Sequence, residues 1–516
     1  MRERGMSDDS QEAVFRFLAD PSTHNGAAVK RIDTHAAAVF LAGDTAYKVK
    51  RAVKFPFLDF STLDKRKAML EAEITANRPF APEIYSAVIP IVRHNGAFAL
   101  GGDGDAVEWA LKMHRFDEEE TLDRLAEAGR IDQSLMEALA RTIAAAHARA
   151  PIVDARAWIA ALADYVEQND TALRERPDLF DAGAVPQLTG MSRASFARIR
   201  PLLVARGAEG VIRRGHGDLH LGNIALIDGR PVPFDALEFD PIVAAGDLLY
   251  DLAFLLMDLI ERKLAESANA VLNVYLAASR RDSDLDALAS LPLFLSVRAA
   301  IRAKVMAARL TNAAPDQRQP VATQAKTYFA LACDLIAPPP PHLIAIGGLS
   351  GTGKSVLARS LAPAIAPPPG AVLLRSDVAR KAMFGVADNE KLPPHAYAAE
   401  VSVRVYTVLL DKARRVIDAG HSVVVDAVFA RDNERATVAR TAQKSKIAFK
   451  GLFLTTDLAT RIARVGDRVH DASDADAEVA RKQENYSLGA LDWAEVDASG
   501  TPAETLARAK AALKGG

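Results

Sequence analysis

The chain has 516 residues, more than one hydrophobic core usually supports, so at least two domains are expected. Its 64 Lys and Arg nearly balance 66 Asp and Glu, and the net charge of −2 divides into about +4 from His342 onward and about −6 before it, which disfavours a dedicated nucleic-acid binder in either part. Cys333 is the only cysteine, the start carries no apolar leader and no stretch approaches 18 uncharged apolar residues, so disulfides, cysteine-zinc clusters, secretion and membrane spanning are not expected, and a reducing cytoplasm fits best.

Residues 1–29 read as an N-terminal extension. From Ala37 to Lys50 the pattern predicts two strands around a Gly43-Asp44 turn, followed by a helix from about Ser61 to Asn77. Residues 30–115 thus form a small strand-rich lobe, and residues 116–336, with alanine-rich periodic stretches such as Ser134 to Arg149 and Val297 to Leu310, a larger helical one. Ala337-Pro-Pro-Pro-Pro341 is a stiff linker, because proline lacks the amide donor and fixes φ. Beyond it, residues 342–516 alternate apolar runs (343–346, 371–374, 422–425 and 448–453) with helical stretches, the signature of a parallel sheet with helices on both faces.

Two motifs carry chemistry. In the second half, Gly348-Leu349-Ser350-Gly351-Thr352-Gly353-Lys354-Ser355 fits the phosphate-gripping pattern G-x-x-x-x-G-K-[ST] between an apolar run and a helical one. Glycines keep side chains clear while amides and a helix N-terminus face the anion; Lys354 reaches the β- and γ-phosphates of ATP, and the Ser355 hydroxyl serves Mg²⁺. Asp426, ending Val423-Val-Val425, binds Mg²⁺ through water, positions the acceptor, or caps a helix. In the first half, His216-Gly-Asp218-Leu-His220-Leu-Gly-Asn223, followed by Asp235, sets an acid and an amide five positions apart. Asp218 can then deprotonate an acceptor hydroxyl while Asn223 and Asp235 hold metal on the other side of the phosphoryl group.

These residues resemble the aminoglycoside phosphotransferase and choline kinase branch of the protein-kinase-like fold over roughly residues 30 to 336. The resemblance implies Asp218 as catalytic base, Asn223 and Asp235 as Mg²⁺ ligands, and a small-lobe lysine on the α- and β-phosphates. Lys48 is assigned that place, with Lys50 on the same strand face as the alternative. Glu73 is its ion-pair partner and Glu71 the second choice. By the same resemblance, the segment from Trp109 to Arg115 looks like a last strand and hinge. Asp247, Asp251 and His216 are read as braces. The chain departs from protein kinases in lacking a glycine-rich loop, whose place is taken by Thr34-His35-Ala-Ala-Ala38.

The second half, with Asp377 and Arg380 three apart after a strand, resembles the P-loop kinases that include phage polynucleotide kinase, zeta-type toxins and chloramphenicol phosphotransferase, an AAA-type ATPase assignment. There the resemblance implies Asp377 as the base and Arg380 as ligand of an acidic acceptor group. Arg461, Arg464 and Arg468 precede an acidic stretch in a pattern similar to the lid of these enzymes. Arg464 and Arg468, i and i+4 on one helical face, are the pair expected on phosphate. The expected fold is therefore mixed α/β and α+β: a bilobal protein-kinase-like domain followed by a P-loop sheet between helices. The expected function is a bifunctional ATP- and Mg²⁺-dependent phosphotransferase acting on small-molecule hydroxyls. A 5′-hydroxyl nucleic-acid kinase in the second half, or one half acting as a non-catalytic ATP-binding regulator of the other, are the alternatives.

Overall fold

A computed structural model describes residues 8–55, 58–94, 96–240, 242–466 and 472–514. Contacts group the chain into two compact units, Met1–Leu162 with Leu203–Leu255, and Ala163–Leu202 with Leu256–Gly516. This division falls within the helical region, whereas the sequence places the boundary at 337–341. The proline segment itself is neither helix nor strand, and joins the helix Pro315–Ile336 to the strand that opens the P-loop sheet.

The first unit is built on a six-stranded antiparallel sheet. Its strands are β1 (Val29–Asp33), β2 (Ala37–Ala42), β3 (Thr45–Lys50), β4 (Tyr85–His94), β5 (Ala97–Leu100) and β6 (Ala106–His114), in the order β1-β2-β3-β6-β4-β5. The β2–β3 connection is the expected two-residue turn, with Gly43 at φ +55°, a value that costs glycine nothing. The helix Leu63–Asn77 begins at Thr62, whose hydroxyl accepts from the Lys65 amide. Its buried residues Arg66, Leu70, Glu73 and Asn77 are spaced four, three and four apart, so one helical face delivers all of them to the interior.

Within residues 1–29, read from sequence as an N-terminal extension, the structure places a helix on this sheet. The helix Asp8–Ala19 buries Val14, Phe15 and Leu18 against Phe40, Val49, Ile91 and Ala110, within the core of the small lobe. Its Gln11 amide donates to the Lys50 carbonyl (2.9 Å) and to Glu108 (2.8 Å), and accepts from the Ala52 amide (2.9 Å). A short amphipathic helix carries an apolar stripe that must be covered, and the sheet face covers it.

Further along this unit, a hairpin of β7 (Ile224–Ile227) and β8 (Arg230–Pro233) turns at Asp228 (φ +49°) and Gly229 (φ +72°), both left-handed as a tight hairpin turn requires.

The second unit contains a five-stranded parallel sheet of β9 (His342–Gly348), β10 (Val372–Arg375), β11 (Val423–Asp426), β12 (Ala448–Thr455) and β13 (Ala494–Asp497), ordered β10-β11-β9-β12-β13. Four of these strands match the apolar runs. The fifth has only Val496 buried, too little apolar pattern to be expected from sequence. Helices on both faces enclose a core including Ile344, Ile346, Leu357, Val424 and Leu452. The free edge of β10 is closed by the helix Ala265–Ser279: Asn269 donates to the Ala371 carbonyl (3.0 Å), and the Leu373 amide donates to Asn273 (2.7 Å). No described helix is long and apolar enough to cross a membrane.

His421, just before β11, is buried with Nε2 2.9 Å from the Gly370 carbonyl oxygen, and burial lowers its imidazole to about 4. The unfolded chain takes up this proton below about 6.5 and the folded chain only near 4, so stability is lost as pH falls through that window, by about 3 kcal/mol at its lower end. Urea unfolding near pH 7.5 and pH 4.5 is expected to show a larger acid loss in the wild type than in His421→Asn. Equal losses would assign the acid sensitivity elsewhere.

Candidate functional sites

The first unit holds a cleft of about 530 Å³. Val39, Leu41 and Ala46 line it from the sheet, Met113 to Phe116 from the end of β6, and Phe234 and Leu237 from the segment after β8. Of the segment from Trp109 to Arg115, the end from Met113 to Arg115 lines the cleft, while Trp109 lies outside this lining and stacks beneath Lys67, whose ammonium is 4.4 Å from the ring centroid. The Thr34 turn that replaces a glycine-rich loop is closed by its own bonds: the Thr34 amide donates to the Ala37 carbonyl (2.8 Å), and the Ala37 amide to the Thr34 hydroxyl (3.0 Å). Thr34, Ala36 and Ala37 face the cleft.

One end of the cleft is charged. Because alternate strand residues share a face, both Lys48 and Lys50 reach Glu73, at 2.6 and 2.7 Å. Lys48 alone also meets Asp235 (3.0 Å), while Lys50 meets Glu238 (2.6 Å). Glu71 takes no part: it is exposed and 3.8 Å from Lys67. Burial opposes charge on Lys48, but Asp235 and Glu73 outweigh it and hold the ammonium well above its ordinary value. Lys48 in turn keeps Asp235 below the usual carboxylate range.

Asp235 has φ +60°, an uncommon conformation for a residue with a side chain, and its surroundings over-determine it. The Phe234 amide donates to the Asn223 carbonyl (2.8 Å), the Asp235 amide to the Tyr85 hydroxyl (2.9 Å) and the Ala236 amide to Asn77 (2.8 Å). The same strand pairing brings Asn223 beside Phe234, so Asn223 and Asp235 lie close together. The Asn223 amide nitrogen donates to the Asp218 carboxylate and carbonyl, both at 3.0 Å, which leaves its amide oxygen for another partner.

The catalytic-type loop is braced from behind. Asp251 accepts from the amides of His216 and Gly217, both at 2.8 Å, and from His147 Nε2 (3.0 Å). Burial lowers the His216 imidazole, so it is neutral and its Nε2–H donates to the Phe234 carbonyl (2.9 Å). Asp247 makes a forked pair with buried Arg206, at 2.5 and 2.8 Å. Asn77, Tyr85 and the Lys50–Glu238 pair were missed by the sequence reading. Only the four-residue step from Glu73 to Asn77 on one helix could have signalled any of them.

In the second unit, β9 runs through the phosphate-loop sequence into the helix Lys354–Leu361. Gly351 and Gly353 have φ near +90°, and a Cβ on Gly351 would lie 2.5 Å from the Arg461 carbonyl oxygen, so the loop conformation demands glycine there. Lys354 Nζ donates to the Leu349 carbonyl (3.1 Å), within its own loop. The Ser355 hydroxyl donates to Asp426 (2.6 Å) at the end of β11. Arg375, paired in register with Asp426 on the neighbouring strand, donates to the Ser355 hydroxyl (3.0 Å) and lies 3.4 Å from Asp426. Sequence spacing alone gives this arginine no role. Burial, then the negative charge of Asp426, raise the carboxyl of Asp377 above its ordinary range.

The expected roles of the other arginines meet different surroundings. Arg380 is buried: it donates to the Ala396 carbonyl (2.6 Å) and the Ser402 hydroxyl (3.3 Å), and stacks 4.9 Å above Tyr397. Arg464 stands beside Gly353, yet its terminal nitrogens donate to the carbonyls of Ala498 and Gly500, both at 2.8 Å. Arg461 is buried and braces the loop through the Ser350 carbonyl (2.9 Å). Arg468 lies outside the described residues.

Both sites suit a magnesium ion that draws most of its ligands from phosphate. Asn223 with Asp235, and Ser355 with Asp426, would each supply one or two oxygens, which is what Mg²⁺ takes from protein in such sites.

An antiparallel lobe with a lysine–glutamate pair facing an Asp/Asn loop, and a parallel sheet bearing a phosphate loop, together define a kinase-type phosphotransferase. Residues 38–290 match the phosphotransferase enzyme family and residues 343–487 match an AAA domain, so the chain joins an aminoglycoside phosphotransferase-like domain to a P-loop kinase-like one. Uncharacterized proteins of Mycobacterium bovis and Mycobacterium tuberculosis are 29% identical over 456 residues, covering 87% of this chain and 88% of theirs. Among solved structures, a choline kinase from Cryptosporidium parvum aligns over 64% of this chain and 96% of its own at 12% identity (TM-score 0.40). A gluconokinase from Sinorhizobium meliloti aligns over 34% and 92% at 18% identity (TM-score 0.26).

Proposed function

We propose that the protein is a bifunctional ATP-dependent phosphotransferase in which each domain moves the γ-phosphoryl group of ATP to a hydroxyl of a small molecule in the cytoplasm. The observation that carries this reading is the presence of two separate sets of groups suited to a triphosphate: Lys48 held by Glu73 beside Asp235, and Lys354 in a glycine loop beside the Ser355–Asp426 pair. Magnesium, when bound, bridges phosphate oxygens and offsets their charge as the phosphoryl group leaves.

In the first domain, Lys48 holds phosphate oxygens and Asp218 takes the acceptor proton. In the second, the loop amides and Lys354 hold the triphosphate while Asp377 takes the proton. The balanced charge of the second half supports a small acceptor over a nucleic acid.

The test is ATP turnover against a library of hydroxylated metabolites. Asp218→Asn is expected to silence one set of acceptors and Lys354→Ala another, each by about 10²-fold or more. ATP consumption that yields no phosphorylated acceptor and is indifferent to both substitutions would refute the proposal.

A further inference from the structure

We propose that Ser473 is phosphorylated by the P-loop site of its own chain, its hydroxyl standing on Asp377 where an acceptor hydroxyl would stand. This rests on the reading of Asp377 as the base of that site. The Asp377 carboxylate accepts a hydrogen bond from the Ser473 side chain.

The contact is made by a segment that is firmly held. The next residue, Asp474, accepts from Lys381 Nζ (3.0 Å), from the Tyr397 hydroxyl (2.6 Å) and from the Leu392 amide (2.9 Å). Lys381 is buried and lies one turn after Asp377 on the helix Ser376–Met383, so the two residues share a face, and Ser473-Asp474 lies along it. Two residues before Asp377, Arg375 touches the Ser355 hydroxyl of the phosphate loop. A held hydroxyl, a carboxylate base and the triphosphate loop thus follow one another within one short stretch of the site.

The step balances without any further reactant. Ser473 Oγ attacks the γ-phosphorus of ATP, and an Oγ–P bond forms as the bond from that phosphorus to the β–γ bridging oxygen breaks. ADP leaves with the electron pair, and the hydroxyl proton passes to Asp377. A hydroxyl already in place on the base supplies the orientation that a free acceptor must gain by binding.

The full chain, first treated with a phosphatase, is incubated with magnesium and ATP labelled in its γ-phosphoryl group, with no acceptor. Label, ADP and phosphopeptides are then measured together. The expected result is label approaching one phosphoryl group per chain on Ser473, at a rate per chain unchanged by dilution. Ser473→Ala, Asp377→Asn and Lys354→Ala lose it, and Ser473→Thr retains it at a lower rate.

Label confined to other residues, or a rate that rises with protein concentration, overturns the proposal. Lys354-dependent ADP formation without phosphoserine at position 473 also overturns it and leaves the functional reading standing. Absence of any Lys354-dependent ATP binding or turnover removes the functional reading, and this inference with it.

Discussion

Replacing Glu73 by Gln is expected to destabilise the first unit by about 3 kcal/mol or more and to reduce transfer at its site by about 10²-fold. Glu73 is fully buried and neutralises two lysines at once, Lys48 at 2.6 Å and Lys50, itself 3% exposed, at 2.7 Å. The amide keeps the shape but not the charge, so two ammonium groups remain in a low-dielectric interior with only Asp235 and Glu238 to offset them. Lys48 also loses the partner that aims it along the cleft.

The loss is also pH-dependent. Although burial opposes it, Lys48 and Lys50 hold Glu73 below its ordinary value, so the stabilisation is present above the unfolded carboxyl value of about 4.3 and disappears as pH falls through the lower folded value. Denaturant midpoints of wild type and variant should therefore differ most near neutrality and converge in acid. Equal midpoints near neutrality would show that the three-way charge cluster contributes nothing to folding.

The second large effect is expected at the P-loop site. Asp377→Asn should lower acceptor phosphorylation by that site by about 10²- to 10⁴-fold, the usual contribution of a positioned general base, while ATP binding is retained. In the wild type, burial and Asp426 raise the Asp377 carboxyl, and the base must be ionised to take a proton. Activity should therefore be lost, as pH falls, at a higher pH than an ordinary aspartate of about 3.9 would give, and this acid limb should vanish from the residual activity of the variant. Profiles of kcat/KM against pH check both points. A variant with wild-type rate would remove Asp377 from the chemistry.

How far each site could be read from sequence depended on whether its parts are neighbours in the chain. The phosphate loop needs eight consecutive residues because successive amides must surround one anion, so it is written out in order. Asp218, Asn223 and Asp235 are similarly close, since one loop and one hairpin carry them. By contrast, Lys50 meets Glu238 across 188 positions, and Gln11 meets Glu108 across 97. No local pattern marks such pairs. Arg375 was passed over for a related reason: its register with Asp426 exists only once β10 and β11 lie side by side.

Arg380 and Arg464 are a different case. Their spacing suited ligand binding, but a guanidinium serves a backbone carbonyl as readily as a phosphate, and sequence does not distinguish the two. The N-terminal helix packs into the small-lobe core for a reason that periodicity alone cannot supply, namely which sheet face lies uncovered beneath it.

The sequence by itself determined the phosphate-loop motif and the Asp/Asn loop, and the mixed fold of a strand-rich lobe and a parallel sheet, because loop glycines, strand periodicity and short-range acid and amide spacing are properties of adjacent residues. Only the tertiary structure decided which charges neutralise one another, which backbone carbonyls these arginines meet, and that the Ser473 side chain bonds Asp377. Those outcomes follow from distances between segments remote in the chain, where burial turns each contact into an interaction strong enough to select one arrangement.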